Sequence, residues 1–161
     1  MFPQSLLDKA SRALNAAQAA DVRIVTAETC TAGLVSGCLT SVSGASKIFE
    51  RGFVLYHDSA KATGLGVAEE ISRVHGAVSA EVTQGLAEGA LKHSGAGVSV
   101  AVTGYAGPGG GNDKNPVGTC YIAAARHGQP TLVERHVFPG DRNAVRLAAV
   151  GAALDLIVKR L

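Results

Sequence analysis

The chain has 161 residues, 47% of them hydrophobic and 17% charged, a composition typical of one globular domain and not of a disordered segment. Its formal net charge of +2 comes from scattered basic residues, which argues against nucleic acid or an anionic membrane as a partner. No apolar stretch approaches the roughly 20 residues of a transmembrane helix, and the first residues lack the basic and apolar regions of a secretory signal.

Apolar periodicity along the chain predicts alternating helices and strands. The expected helices cover 4–19, 34–39, a segment beginning near 58, 67–74, 79–93 and 142–160. The expected strands cover 22–27, 48–56, 97–103, 119–125 and 131–138. The strand over 97–103 is mostly apolar and is therefore expected at the centre of the sheet. The strand over 131–138 mixes apolar and charged residues, which is typical of an edge strand paired with the strand before it.

The first candidate site is the turn from Thr26 to Gly33, which follows the first predicted strand. It offers the carboxylate of Glu28 and three potential nucleophiles, Thr29, Cys30 and Thr31. In open α/β sheets, ligands bind at the carboxyl ends of strands, so this turn is well placed to carry chemistry. The alternative is that Thr29 or Thr31 only caps the next helix, as threonine commonly does.

A lysine follows the second predicted strand. Asp58 or Ser59 can cap a new helix, which places Lys61 in its first turn. The positive end of the helix dipole disfavours the charged form of a lysine there, and an uncharged amine is what a general base requires. The alternative is a solvated surface lysine.

The stretch from Gly104 to Gly118 contains six glycines and two prolines, which exclude a regular element. A loop of this length is usually functional or disordered. Glycines let backbone N–H groups approach an anion closely, although the stretch is neither a Walker A loop nor a GxGxxG fingerprint. The alternative is a flexible hairpin.

The last predicted helix begins with two arginines, Arg142 and Arg146, four residues apart on one face. Cations at a helix N-terminus oppose the helix dipole unless an anion joins them. That anion is either the capping carboxylate of Asp141 or a bound phosphate.

Cys30, Cys38 and Cys120 are odd in number and have neither CxxC nor zinc spacing, and the five histidines are dispersed. We therefore expect three free thiols in a reducing cytoplasm, and neither a structural metal nor a cofactor.

Five ordered motifs carry a family resemblance that extends from about Leu6 to Leu161. The motifs are AETCTAG at 27–33, FERGFVLYHDSAK at 49–61, HGAVS at 75–79, VTGYAGPGGG at 102–111 with KNPVGT at 114–119, and FPGDRNAVR at 138–146. In order and spacing they resemble the CinA C-terminal-domain family, the nicotinamide-nucleotide amidases.

The resemblance implies a three-layer α/β/α sandwich with a central mixed sheet of about five strands, formed as a single domain over 1–161. It implies deamidation of nicotinamide mononucleotide to nicotinate mononucleotide and ammonia, by a cytoplasmic homo-oligomer. It also implies the stand-alone form of the domain, without the molybdopterin-binding-like domain that precedes it in longer relatives.

The resemblance further implies residue roles. Thr29 is the expected nucleophile, Lys61 its base, and Tyr56 the group that orients or relays the proton. The expected substrate-binding residues are Glu28, Cys30, Thr31, Gly33, Thr103, Gly104, Gly107, Gly109, Gly110 and Arg142.

One departure from the family pattern affects the nucleophile, because threonine stands at position 29 where the family has serine. Its extra methyl group restricts rotation about χ1 and crowds the path of attack. Two alternatives therefore stay open: a thiol mechanism through Cys30, and a catalytically impaired domain that only binds the nucleotide.

Overall fold

The computed structural model describes residues 1–161 as one five-stranded sheet flanked by helices. The strands are β1 (Ile24–Glu28), β2 (Phe49–Val54), β3 (Val98–Gly104), β4 (Thr119–Arg126) and β5 (Gln129–Val137). The helices are α1 (Gln4–Ala19), α2 (Leu34–Thr40), α3 (Asp58–Leu65), α4 (Glu69–His75), α5 (Ala80–Lys92) and α6 (Arg142–Arg160), with a 3₁₀ turn at Ala45–Lys47. In length and apolar content, every helix falls short of what a membrane crossing needs.

The strand order is β2-β1-β3-β4-β5. β1 runs parallel to both β2 and β3, while β4 is antiparallel to β3 and to β5. The central position of β3 and the edge position of β5 are thereby confirmed. The sheet is mixed, as the family resemblance implies.

Two hydrophobic cores lie on opposite faces of the sheet. Helices α1, α2 and α6 cover one face, where they pack on the side chains of Val98, Val100 and Val102. Helices α3, α4 and α5 cover the other face, which presents smaller residues such as Ala101 and Ala123. Side chains of successive strand residues alternate between the two cores, because a strand has a period of two. The three-layer α/β/α sandwich is confirmed.

The predicted strand over 48–56 is too long. β2 ends at Val54, and the next amide, that of Leu55, donates to the carbonyl of Glu28 at 2.9 Å before the chain turns towards α3. Leu55 packs into the core, whereas Tyr56 is 63% exposed. The early departure of the chain from the sheet therefore leaves the phenol of Tyr56 free to face the site described below.

Local hydrogen bonds determine where each helix begins, and some of the capping residues differ from those expected from the sequence. Neither Asp58 nor Ser59 caps α3: the cap is His57, whose Nδ1 accepts from the Ser59 amide at 3.2 Å. Neither Thr29 nor Thr31 caps α2, which begins after Gly33. Of the two anions considered at the start of α6, the Asp141 carboxylate does cap the helix, since its Oδ1 accepts from the Ala144 amide at 2.9 Å.

Two glycines of α5 give a matched test of packing. A Cβ at Gly89 would lie 2.5 Å from the carbonyl oxygen of Leu65, whereas one at Gly85 would make ordinary contacts of 3.4 and 3.6 Å with Val67. In an open helix, Gly→Ala stabilises by up to about 1 kcal/mol, but overpacking costs about 1–3 kcal/mol. We expect Gly89→Ala to lower, and Gly85→Ala to maintain or raise, the free energy of unfolding measured in urea. Equal effects of the two changes would contradict the close contact between α5 and the end of α3.

Candidate active site

The parallel strands bring three chain segments together at one edge of the sheet. β1, β2 and β3 all point the same way, so their last residues, Glu28, Val54 and Gly104, lie at the same edge. The turn after β1, the residues after β2 and the glycine-rich loop after β3 therefore meet there. The topology, and not any local pattern, assembles this edge.

The side chain of Glu28 is buried beneath the turn after β1. It is only 1% exposed. Its Oε2 accepts from the amides of Gly33 and Val35, and its Oε1 accepts from the amide and hydroxyl of Ser36, at 2.8–3.0 Å. The carboxylate thus satisfies the N-terminal N–H groups of α2, which lack helical partners. Glu28 and Gly33, expected as substrate-binding residues, have these polar groups committed to the turn itself.

The turn leaves two backbone donors free beside Thr29. The amides of Cys30 and Thr31 donate to no acceptor in the chain. Their carbonyls accept from Arg146, at 2.9 Å from Nε to Cys30 and at 3.3 Å from Nη2 to Thr31. Arg146 therefore fixes the peptide plane that carries the free N–H of Thr31, while the Ala32 amide, which donates to the carbonyl of Thr29 at 3.0 Å, fixes the plane that carries the free N–H of Cys30. No local sequence pattern predicts the Arg146 contact, because it joins residues more than 110 positions apart.

A cavity of about 150 Å³ lies next to this turn. It is lined by Thr29, Cys30, Tyr56, Lys61, Ala77, Val78 and Gly104. The three expected catalytic residues thus share one small cavity, together with two residues of the HGAVS motif that had received no role. A space of this size accepts one small group and not a whole nucleotide, since sites for drug-sized ligands measure about 300–1,000 Å³.

Lys61 lies in the first turn of α3, as expected, but it is not a surface lysine. It is 3% exposed, and its Nζ donates to Asp58 Oδ1 at 2.8 Å. Asp58 had no expected role beyond capping, although its spacing of three residues from Lys61 on a helix is a recognisable ion-pair signal. No hydrogen bond joins Lys61 to Thr29, whose Oγ1 donates instead to the carbonyl of Val102 at 3.0 Å.

Arg142 links the small cavity to a larger one. Its Nη2 donates to the phenol oxygen of Tyr56 at 3.0 Å, and its Nη1 donates to the carbonyl of Gly107 at 2.8 Å. The second cavity, of about 430 Å³, lies between the glycine-rich loop and the start of α6. It is lined by Ala106, Gly107, Pro108, Val117, Gly140, Asp141, Arg142 and Asn143. One guanidinium group therefore contacts the walls of both cavities.

The glycine-rich loop is irregular, as expected, and it carries free backbone donors. The amides of Ala106, Gly107, Gly109, Gly110 and Gly111 donate to no acceptor in the chain. Successive free N–H groups in a glycine-rich turn are typical of an anion-binding nest.

Hydrogen bonds also hold the loop in place, so the structure does not support the alternative of a flexible hairpin. The buried side chain of Asn115 donates from Nδ2 to the carbonyl of Val78 at 3.3 Å and accepts at Oδ1 from the phenol of Tyr121 at 3.0 Å. The loop is thereby attached both to the HGAVS motif and to β4. Asn115 carries no local sequence signal for this role.

Two expected binding residues lie beneath the cavity walls. Thr103 is fully buried, and its hydroxyl pairs with that of Thr83 at 2.8 Å. Thr83 in turn donates to the carbonyl of Ser79 at 2.6 Å. Thr31 is also fully buried, and its hydroxyl has no partner in the chain. Neither side chain lines the small cavity.

The expectation of three free thiols is confirmed, and two of them lie together. A Cβ at Gly104 would lie 2.6 Å from the sulfur of Cys120 and 3.0 Å from that of Cys30, so only glycine leaves room for both. The neighbouring Cys120 thiol lowers the pKa of Cys30 despite its burial. The interaction with Cys30, together with burial, raises the pKa of Cys120 well above its ordinary range.

The other cavities and side-chain groups of the structure are weaker candidates for a functional site than this edge of the sheet. A depression of about 600 Å³ lies at the opposite end of the sheet, where exposed side chains such as Arg23, Lys47 and His127 line it. No group of three or more histidine, cysteine, aspartate or glutamate side chains is arranged to hold a metal ion. The edge that carries Thr29 and Lys61 is therefore the candidate active site.

Comparison with known proteins extends over almost the whole chain. The profile of the CinA C-terminal domain matches residues 7–161. The chain is 41% identical over 157 residues to the nicotinamide-nucleotide amidohydrolase PncC of Escherichia coli strain K12, covering 98% of this chain and 95% of that protein. It is 49% identical over 126 residues to a CinA-like protein of Akkermansia muciniphila, covering 78% of this chain and 30% of that protein. The chain thus spans about a third of the length of such CinA-like relatives.

Solved structures give the same picture of the fold. The crystal structure of the competence/damage inducible protein CihA from Agrobacterium tumefaciens superposes with a TM-score of 0.95 at 38% identity, covering 99% of this chain and 97% of that one. A CinA superfamily protein from Escherichia coli superposes with a TM-score of 0.92 at 33% identity, covering 100% and 94%.

Proposed function

The chain belongs to the CinA C-terminal domain family, and from this we propose that it hydrolyses the carboxamide of nicotinamide mononucleotide to nicotinate mononucleotide and ammonia. The observation that carries the proposal is the convergence of Thr29, Tyr56 and Lys61 on one small cavity. The near full-length similarity to a nicotinamide-nucleotide amidohydrolase supports the choice of substrate. The family resemblance adds a cytoplasmic homo-oligomer to the proposal.

In this mechanism the hydroxyl of Thr29 attacks the carboxamide carbon while its proton passes to the uncharged amine of Lys61. The proton then goes to the leaving nitrogen, ammonia departs, and water hydrolyses the acyl-enzyme. Thr29 and Lys61 must first exchange their present partners, the carbonyl of Val102 and the carboxylate of Asp58, for one another. The presence of both residues in the lining of one cavity supports this exchange.

The free amides of Cys30 and Thr31 supply the oxyanion site. They are the two unpartnered backbone donors that immediately follow Thr29, and Arg146 holds the carbonyls of both residues. Preorganised donors of this kind stabilise the charge that develops on the carbonyl oxygen, and losing one typically costs about 10²–10³ in rate. A thiol mechanism through Cys30 is less well supported, because no histidine lines the cavity.

The nucleotide's phosphate binds on the far side of Arg142. The nicotinamide ring fits the cavity of about 150 Å³, and the ribose phosphate extends into the cavity of about 430 Å³. The free amides of Ala106 and Gly107, which line the larger cavity, and the guanidinium of Arg142 then bind the phosphate oxygens. Anchoring the phosphate in this way fixes the carboxamide against Thr29.

The test compares ammonia release from nicotinamide mononucleotide by the wild type, Thr29→Ala and Thr29→Ser. We expect Thr29→Ala to lower kcat by about 10³-fold or more, because the nucleophile is lost. Thr29→Ser should keep or raise kcat, because serine has the same hydroxyl without the methyl group that restricts χ1. Full activity in Thr29→Ala would end the mechanism.

The alternative, a catalytically impaired nucleotide-binding domain, makes a different prediction for the same proteins. Its support is the hydrogen bond that holds the Thr29 hydroxyl on the carbonyl of Val102. In that case calorimetry detects binding of the mononucleotide to the wild type, no ammonia is released, and only Thr29→Ser gains activity.

A further inference from the structure

The second buried feature of the site edge is the thiol pair beneath Gly104. Cys30 lines the small cavity and is 5% exposed, whereas Cys120 is fully buried behind it on β4. Both sulfurs lie within 3.0 Å of the position that a Cβ of Gly104 would take. The mechanism proposed above uses neither thiol, although one of them lies in the wall that contacts substrate.

We propose that Cys30 is a covalent modification site for small uncharged electrophiles, that Cys120 activates it by hydrogen bonding, and that its modification fills the cavity. The cavity of about 150 Å³ gives a small reagent access to Cys30. Cys120 has no such access, and the absent side chain at Gly104 leaves room for both sulfurs on the same side of that residue. This inference does not depend on which substrate the site accepts.

The groups around Cys30 favour its thiolate, which is the reactive form of a cysteine. The Cys120 thiol contributes most, burial opposes it, and the Thr29 hydroxyl and the Arg146 guanidinium add to the lowering of the Cys30 pKa. Lys61 and Tyr56 are the other titratable groups that line the cavity. Cys120 keeps its proton and remains the hydrogen-bond donor.

The chain contains its own control in Cys38. This thiol is fully buried in α2, its sulfur donates to the carbonyl of Leu6 at 3.6 Å, and burial raises its pKa to about 11. At pH 8 a pKa of about 11 leaves roughly one Cys38 thiol in 10³ ionised. The pKa of Cys30 is lowered, not raised, so the thiolate population favours Cys30 over Cys38.

The modification step with iodoacetamide is a simple displacement. The thiolate sulfur of Cys30 attacks the methylene carbon, a C–S bond forms, and the C–I bond breaks with its electron pair leaving as iodide. The thiol proton has already passed to the buffer. The product is a carboxamidomethyl group attached to Cys30 and lying in the cavity.

The experiment treats the native full-length protein with limiting iodoacetamide between pH 6 and 10 and measures each modified cysteine by peptide mass spectrometry. We expect Cys30, which lines the cavity, to react at least about 10-fold faster than the fully buried Cys38 at pH 8, and to reach its half-maximal rate at a lower pH than Cys38. In Cys120→Ala the half-maximal pH should rise, because the largest cause of the lowered pKa is gone, and Cys120→Ser, which keeps a donor, should show a smaller rise. Alkylation in guanidinium chloride confirms that all three thiols can react once exposed.

Equal rates at Cys30 and Cys38 in the native wild-type protein would overturn the proposal, as would an unmodified Cys30 at pH 9. These readings need no variant, so poor folding of Cys120→Ala cannot obscure them. Protection by nicotinamide mononucleotide is a separate measurement. Fast labelling of Cys30 that the nucleotide does not slow would support the modification site and count against binding of that nucleotide in this cavity.

Discussion

We expect the replacement of Lys61 by methionine to lower kcat for ammonia release by about 10²–10⁴-fold, the range in which general bases contribute. The amine of Lys61 is the one lysine nitrogen in the cavity that holds Thr29, and methionine keeps the length and apolar stem of the side chain without it. Binding of nicotinamide mononucleotide, measured by calorimetry, should change little, because the proposed phosphate contacts lie at Arg142 and the glycine-rich loop. The loss should therefore fall on kcat and not on KM.

Lys61→Arg separates a base from a fixed positive charge. Arginine keeps the charge and a partner for Asp58, but it does not lose its proton in proteins and cannot serve as a base. We expect Lys61→Arg to be as inactive as Lys61→Met. The matched control is Lys92→Met, which removes an exposed lysine at the end of α5 and should leave activity unchanged. An active Lys61→Arg would show that the residue acts through its charge.

Of the substitutions proposed here, we expect Glu28→Gln to lower the free energy of unfolding the most. All four donors that face the carboxylate of Glu28 need an acceptor, and glutamine would turn an NH₂ group towards two of them. Hydrogen bonds to a charged group contribute about 1.5–3 kcal/mol each, and buried donors left without partners cost about 1–3 kcal/mol. We therefore expect the free energy of unfolding in urea to fall by about 3–5 kcal/mol.

Activity in Glu28→Gln should fall with stability, because the same bonds shape the turn that carries Thr29. Glu69→Gln is the control, since Glu69 is exposed in the first turn of α4 and a surface change of this kind usually stays within about 0.5 kcal/mol. A Glu28→Gln protein as stable as the wild type would mean that the buried carboxylate does not hold the turn.

These two variants test different layers of one site. Lys61 touches the space where a substrate carboxamide would lie, whereas Glu28 acts only through the N-terminal turn of α2. Loss of activity with unchanged stability in the first, and loss of both in the second, is the pattern that the contacts predict. Loss of stability in the Lys61 variant together with unchanged stability in Glu28→Gln would contradict these assignments.

The sequence alone determined the features that depend on neighbours a few residues away. Hydrophobic periodicity of 3.6 or 2 residues predicts the helices and strands, and glycine and proline content predicts the irregular loop after β3. The capping carboxylate of Asp141 and the place of Lys61 in the first turn of α3 follow from local spacing. Five ordered motifs predicted the family, and the three predicted catalytic residues do share a cavity.

Contacts between residues far apart in the chain became known only from the tertiary structure. Arg142 reaches Tyr56 across 86 positions, and Arg146 reaches Cys30 across 116. Glu28 was expected to bind substrate, but its carboxylate instead accepts hydrogen bonds from the start of α2. Cys120 and Cys30 lie near each other because Gly104, between them, has no side chain. Such contacts follow from strand order and from the space left by missing side chains. No local pattern encodes either, since a hydrogen bond or an ion pair is specified by the position of both partners in the folded chain.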